Sequence, residues 1–415
     1  MQLLTNDASN KNKVFVEAIL DTIPDLSKPR RKFMVFIFVL YLSLRGRYTF
    51  LGMQRYGQYC EKTLRLQFEK PFDFFKFNIK ICQSQASKDC VLVFDPSFIP
   101  KSGKHTPNKG KFYSGTAGKS LPGLEIGGLG LADLGNNTAF SLEAIATPNK
   151  AKLTAKGSNL VAHYVQIFTD RKEELIKLSK YLGVDGWFAK INFVSPILEE
   201  TGLDIICKFR KDAQLRYLYK GPKTGKRGRP KKYDGRLNPK EIDKKHLTFC
   251  YEDETVVIHQ GVIWSVSLKR KVKLAHVVFK NEQGELTKRF ALYFSTDTDL
   301  NGLRIYRMYK VRFQIEFVFR DGKQFTGLTQ CQARSENKLH FHFNTSLSAV
   351  NIAKATTYLK QPIEQRKSFS LADIKTENFN ELMLDLFLSK LHINHNLEIN
   401  KKAIRDIRKY GLIAA

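Results

Sequence analysis

The chain has 415 residues, with 69 Lys and Arg against 40 Asp and Glu, a net charge of +29. That excess points to a polyanionic partner, nucleic acid first and an anionic membrane surface second. At 42% hydrophobic and 12% aromatic residues a proper core can form, while the longest apolar run, 33–42, is about half of what spans a bilayer.

The N-terminus shows no basic start followed by an apolar stretch, so no signal peptide is expected, and the chain reads as cytoplasmic. The length allows two or three domains. None of the six cysteines forms a Cys-x-x-Cys pair, which leaves zinc and thioredoxin-like chemistry unsupported.

Residues 1–88 read as all-helical, a DNA-binding domain by their charge. Ser27 and Pro29 suit a helix start, with the helix running over about 31–44. Thr49 can cap a second helix, and a third covers about 59–69. Basic residues recur, among them Arg30, Arg31, Arg45, Arg47, Arg55 and Arg65. Short helices joined by Arg-Gly-Arg resemble a helix-turn-helix; the plainer reading is a bundle with a solvated basic surface.

From residue 91 the period changes. Val91 to Phe94 read as a buried strand ending in Asp95. Two more strands, 125–134 and 138–146, meet at Asn136-Asn137, a hairpin signal. A helical region over 160–180 leads to a short strand, 181–185, ending in Asp185. A helix over 188–200 and a strand over 204–209 follow. Strands with a hairpin, then helix, strand, helix, strand, is the order of a ribonuclease-H-like α/β core, expected over 89–210 and 298–365.

Between these halves lie about 90 residues of different character, 211–297. Residues 221–232 hold six cations and no acid, and read as an exposed basic loop. Alternating strands over 247–251, 254–265, 272–280 and 285–293, with a Gln283-Gly284 turn, make a β-rich insertion. After the core, Leu339, Phe343, Leu347 and Val350 keep helical spacing. A helical C-terminal tail, 366–415, carries stretches at 379–391 and 400–410.

Residues 309–323 are the most informative stretch. At 100° per residue, Tyr309, Arg312, Glu316, Arg320 and Lys323 share one face. Arg307, Lys310, Gln314 and Asp321 share the opposite one. Tyr306, Phe313 and Phe317 form one apolar flank; Met308, Val311, Ile315, Val318 and Phe319 form the other. A surface helix has one polar face. Two imply one face in solvent and one in a site, a carboxylate ringed by cations and a phenol. The plainer alternative is an ordinary Arg-Glu i,i+4 pair.

Tyr309, Arg312, Glu316 and Lys323 match, at every spacing, a Tyr-x2-Arg-x3-Glu-x6-Lys signature. The chain thereby resembles bacterial insertion-sequence transposases of the Asp-Asp-Glu type, over roughly residues 90–330. The resemblance implies a ribonuclease-H-like fold and a reaction that excises and inserts a mobile DNA element. It implies Mg²⁺, with Mn²⁺ as substitute, on Asp95, Asp185 and Glu316. Arg312 and Lys323 would hold phosphates, joined on the same face by Arg320, and Tyr309 would stack on or hydrogen-bond to DNA. The expected partners are double-stranded DNA, as element ends and target, and a second copy of the chain on that DNA. Trp187 and Phe188 follow the second Asp, where some relatives hold a flipped base; a packed aromatic is the alternative.

Two more stretches are candidates for DNA contact from their residues alone. Residues 99–120 carry Lys101, Lys104, Lys109, Lys111 and Lys119 without an acid, and Phe112 and Tyr113 there could meet bases. Arg227-Gly228-Arg229-Pro230 resembles a minor-groove hook; a nonspecific basic loop is the alternative. Two rival readings remain: a structure-selective nuclease on the same fold, and a non-catalytic DNA-binding protein derived from a transposase.

Overall fold

Five helices open the chain: α1 (Lys11–Asp21), α2 (Lys28–Ser43), α3 (Phe50–Tyr56), α4 (Glu61–Glu69) and α5 (Phe74–Gln85). The structure is a computed structural model that describes residues 11–222, 230–366, 368–391 and 397–413. Local chemistry sets the helix starts. The Ser27 hydroxyl accepts the Arg30 amide, and Pro29 sits in the first turn of α2, where its missing N–H costs nothing. Thr49 caps α3 through Gly52, and Asp73 caps α5 through Lys76.

Ten of the sixteen residues of α2 are buried, so it is a core helix and not a surface one. Burial also takes Arg30 out of the recurring basic residues of this segment. The Arg30 guanidinium donates to the Gln67 and Lys70 carbonyls at 2.8 and 2.9 Å, closing the α2–α4 corner, and does not face solvent.

Four strands follow: β1 (Cys90–Pro100), β2 (Gly110–Ser114), β3 (Lys119–Asp133) and β4 (Thr138–Ala146). Next come α6 (Lys150–Ala155), α7 (Leu160–Thr169), α8 (Lys172–Leu178), β5 (Tyr181–Gly183), α9 (Ile191–Pro196) and β6 (Asp204–Phe209). Strand β4 pairs antiparallel with β3 and β3 with β1, while β1, β5 and β6 are parallel. That is the ribonuclease-H-like order. Asn137 takes a left-handed φ of 46° at the β3–β4 turn.

The basic stretch after Asp95 is not a loop throughout. Strand β2 pairs with the first residues of β3, and this hairpin buries Phe112 while leaving Tyr113 exposed. Strand alternation explains the split, and of the two aromatics it leaves Tyr113 alone facing outward.

The insertion supplies β7 (Leu215–Leu218), β8 (Tyr233–Arg236), β9 (Thr248–Glu252), β10 (Val256–Ser265), β11 (Arg270–Lys280) and β12 (Leu286–Ser295). Strand β12 pairs antiparallel with β6, so the strands of the ribonuclease-H-like core and of the insertion form one sheet of twelve strands. The C-terminal region adds α10 (Gly302–Arg312), α11 (Gln314–Phe325), α12 (Glu336–Ala353), α13 (Leu371–Leu391) and α14 (Glu398–Lys409). Helix α12 is the hub: Phe341 packs on Phe33, Phe68 and Phe74, and the Tyr41 hydroxyl is 2.7 Å from His342 Nδ1. Lys375 ties α13 to α2 by donating to the Leu44 carbonyl at 2.8 Å. Among the described residues no helix is long and apolar enough to cross a membrane.

Candidate active site

Three acids from distant parts of the chain, Asp95, Asp185 and Glu316, come within electrostatic range of one another. Asp95 lies in the middle of β1 and not at its end as the sequence suggests. The parallel ladder with β5 stops at Val93–Gly183, however, so the backbone beside Asp95 is open on that side. Two residues further in the same register stands Asp185, whose Oδ1 accepts the Trp187 amide at 2.8 Å and starts a single 3₁₀ turn. The Cys207 thiol donates to the Asp185 carbonyl at 3.0 Å from β6.

Glu316 reaches the same place because α11 lies unusually close to the sheet. A Cβ at Gly130 would stand 2.6 Å from Ile315 Cδ1, and one at Gly128 would collide with the Phe319 ring. Gly128 is the partner of Asp95 in the β1–β3 ladder. The glycines of β3 therefore let α11 settle over Asp95.

The expected single helix over 309–323 is two helices. Phe313 separates α10 from α11 with ψ −20°, and the Phe313 and Glu316 amides bond three residues back, to Lys310 and Phe313. A 3₁₀ turn advances about 120° per residue instead of 100°. The phase shift leaves Phe313 exposed and buries Asp321, which holds Arg320 at 3.1 Å. Arg320 is thus paired with Asp321.

Arg312 is the centre of the cluster. Its side chain is buried, with Nη1 3.7 Å from Asp95 and Nη2 3.4 Å from Glu316. Its Nε and Nη1 make no hydrogen bond among the described residues. Burial pushes the Asp95 carboxyl up to about 7; Arg312 and Lys323 oppose the rise, and Glu316 and Asp185 add to it. Burial likewise raises Glu316, against Arg312. Burial lowers Lys323, and Asp95 counters it. Tyr309 is raised by burial and packs at a tilt against Tyr293 of β12, with Arg312 5.4 Å from its ring centre.

Asp95, Asp185, Glu316, Tyr309, Arg312 and Lys323 thus form one electrostatic unit. Carboxylate oxygens of this kind suit a hard divalent cation. The spacing here is wider than a closed metal site: among the described residues no three His, Cys, Asp or Glu side chains stand close enough to hold an ion. The Arg312 guanidinium supplies the positive charge between Asp95 and Glu316.

The transposase DDE domain family matches residues 147–352. The chain belongs to the DDE-type transposases. The match contains Asp185 and Glu316 and begins after Asp95. No curated protein matches the chain.

Other expected site residues fall elsewhere in this transposase. Lys101 and Lys104 line a separate cleft beyond the end of β1. Trp187 is exposed, with the Lys190 ammonium 3.4 Å from its ring centre, while Phe188 is packed in the core. Arg227 and Arg229 lie outside the described residues. Lys190 and Tyr293 escaped the sequence reading. Lys190 sits in no charge run, and only the β6–β12 register, which opposes Tyr293 to Lys208, brings that ring to Tyr309.

Proposed function

We propose that this transposase binds the ends of a mobile DNA element and catalyses metal-dependent strand cleavage and transfer, acting on DNA as a homodimer. Asp95, Asp185 and Glu316 would hold Mg²⁺, with Mn²⁺ as a substitute. Held by these three carboxylates, such a cation would supply the positive charge that activates an attacking oxygen and steadies a leaving oxygen of the phosphodiester. One observation carries the reading: three carboxylates from separate parts of the chain are coupled around a single buried Arg312.

The chain's own groups have distinct tasks. Arg312, with two donors in reserve, grips a phosphate oxygen, and Lys323 adds charge beside Asp95. Tyr309 contacts the DNA from the insertion side. The exposed Trp187 ring stacks on a base, and Arg320, Lys101 and Lys104 hold backbone along the approach; Arg227 and Arg229 are further expected DNA contacts. Residues 1–88 would bind the element ends, with the core over 89–210 and 298–365, the insertion over 211–297 and a tail over 366–415. The site of action would be a bacterial nucleoid in the cytoplasm.

A second reading, a non-catalytic DNA-binding descendant, is favoured by the Arg312 position between two acids. Cleavage of a supercoiled plasmid carrying the DNA that brackets the reading frame decides between them. Wild type cuts with Mg²⁺. Glu316→Gln cuts at below roughly a thousandth of that rate, because members of a catalytic unit fail together. Its gel-shift on the same DNA is unchanged, since shape and hydrogen bonding are kept. Cutting by Glu316→Gln at the wild-type rate overturns the mechanism. A wild type that never cuts its own ends favours the second reading.

A further inference from the structure

A second concavity lies apart from the carboxylates. It is an open cleft of about 970 Å³ whose lining includes Arg47, Arg65, Lys101, Lys104, Arg334 and Lys338 and no acid. These six cations come from four places: the turn before α3, α4, the segment after β1, and the approach and first turn of α12. Three are partly neutralised, Arg65 by Glu61, Lys338 by Glu69 at 3.0 Å, and Lys101 on the Cys331 carbonyl. Arg47, Lys104 and Arg334 are exposed and have no ion pair among the described residues. A small-molecule pocket is mostly apolar. A basic groove lined by exposed, unpaired cations suits a polyanion backbone.

The path from the carboxylates to this cleft can be read from register. Ile315 lies over Gly130 and Phe319 over Gly128, and those glycines pair with Val93 and Asp95. Helix α11 and strand β1 therefore leave the site in the same direction. Six strand residues carry the chain about 20 Å from Asp95 to Lys101. Nine helix residues carry it about 14 Å from Glu316 to Phe325. The two paths rejoin where Lys101 bonds Cys331, on the cleft wall. At about 3.4 Å per nucleotide step, the separation is about four to six nucleotides.

We propose that this cleft grips the sugar-phosphate backbone of duplex DNA about four to six nucleotides from the bond being cut. The position rests on the catalytic reading above; the grip itself does not. The first test is salt-dependent binding to a long duplex of arbitrary sequence, followed by fluorescence anisotropy without metal. The triple variant Arg47→Ala, Lys104→Ala, Arg334→Ala lowers the slope of log K against log salt by about 2.7, for three lost phosphate contacts. Restoring charge with Arg47→Lys, Lys104→Arg, Arg334→Lys restores the slope. A control triple on α14, Lys402→Ala, Lys409→Ala and Arg405→Ala, leaves it alone. An unchanged slope in the cleft variant, or an equal fall in the control, overturns the grip.

The second test is a methylphosphonate scan of the duplex that wild type cuts. Affinity falls when phosphates about four to six nucleotides from the cut are neutralised, and the cleft variant is insensitive to them. A footprint elsewhere overturns the position. Normal cutting with an unchanged salt slope sinks the cleft and spares the catalytic reading. Absence of cutting by wild type sinks the catalytic reading, and with it the stated position, while the salt slope still decides the grip.

Discussion

Asp95 shows in one residue what a site like this costs the fold. An ordinary Asp titrates near 3.9, and burial lifts this one to about 7. Between those values the unfolded chain releases the proton and the folded chain keeps it, so the unfolded state gains as pH rises. Above about 7 the folded state carries the anion and the full penalty. Asp95→Asn should therefore raise the melting temperature without metal, more at pH 8 than at pH 5. A lowered melting temperature at pH 8 would show that Arg312 outweighs burial. In the wild type, the Mg²⁺ concentration needed for half-maximal cleavage should fall as pH rises from 6 to 8, because the carboxylate forms in that window. A flat Mg²⁺ requirement would remove Asp95 from the metal's ligands.

At the scale of elements, the glycines of β3 decide how close α11 comes. Gly128→Ala should push the Phe319 ring off the sheet, costing about 1–3 kcal/mol and lowering cleavage by displacing Glu316. The double variant Gly128→Ala, Phe319→Leu should recover most of both losses. Full activity in the single variant would mean that the glycine does not set the helix height. Much at this scale was legible in the sequence. Alternation placed β9 to β12 within a few residues, and the Gln283-Gly284 turn is where Gly284 takes its left-handed φ. The signature spacing brought Tyr309, Arg312, Glu316 and Lys323 together despite a break between the two helices. What escaped the sequence depends on partners far along the chain. Arg30 looks like a DNA contact until Gln67 buries it, and Phe112 looks exposed until a hairpin turns it inward. The bend at Phe313 has no Gly or Pro to announce it. The space between the carboxylates depends on which way Arg312 lies, and no spacing rule fixes a rotamer.

Across the whole molecule, the N-terminal helices, the sheet and α12 share one continuous core, running from Val16 to Ile374. Phe341 stands at its junction, 1% exposed, with Arg30 5.1 Å from its ring centre. Phe341→Ala should cost about 3–5 kcal/mol. Far-UV ellipticity and fluorescence of Trp187 and Trp264 should lose structure together in urea. Two separated transitions would show that residues 1–88 fold on their own and only lean on the rest. The sheet carries a further consequence. The chain leaves the ribonuclease-H-like strands at Phe209 and returns at Leu292, and these two residues are neighbours in the β6–β12 ladder. The excursion closes on its own doorstep, so its length is uncoupled from the span between Asp185 and Glu316. Such a stretch is a cassette: its far edge at β8 lies at the end of the sheet, and strands added or trimmed there would leave the β6–β12 pairing as it is.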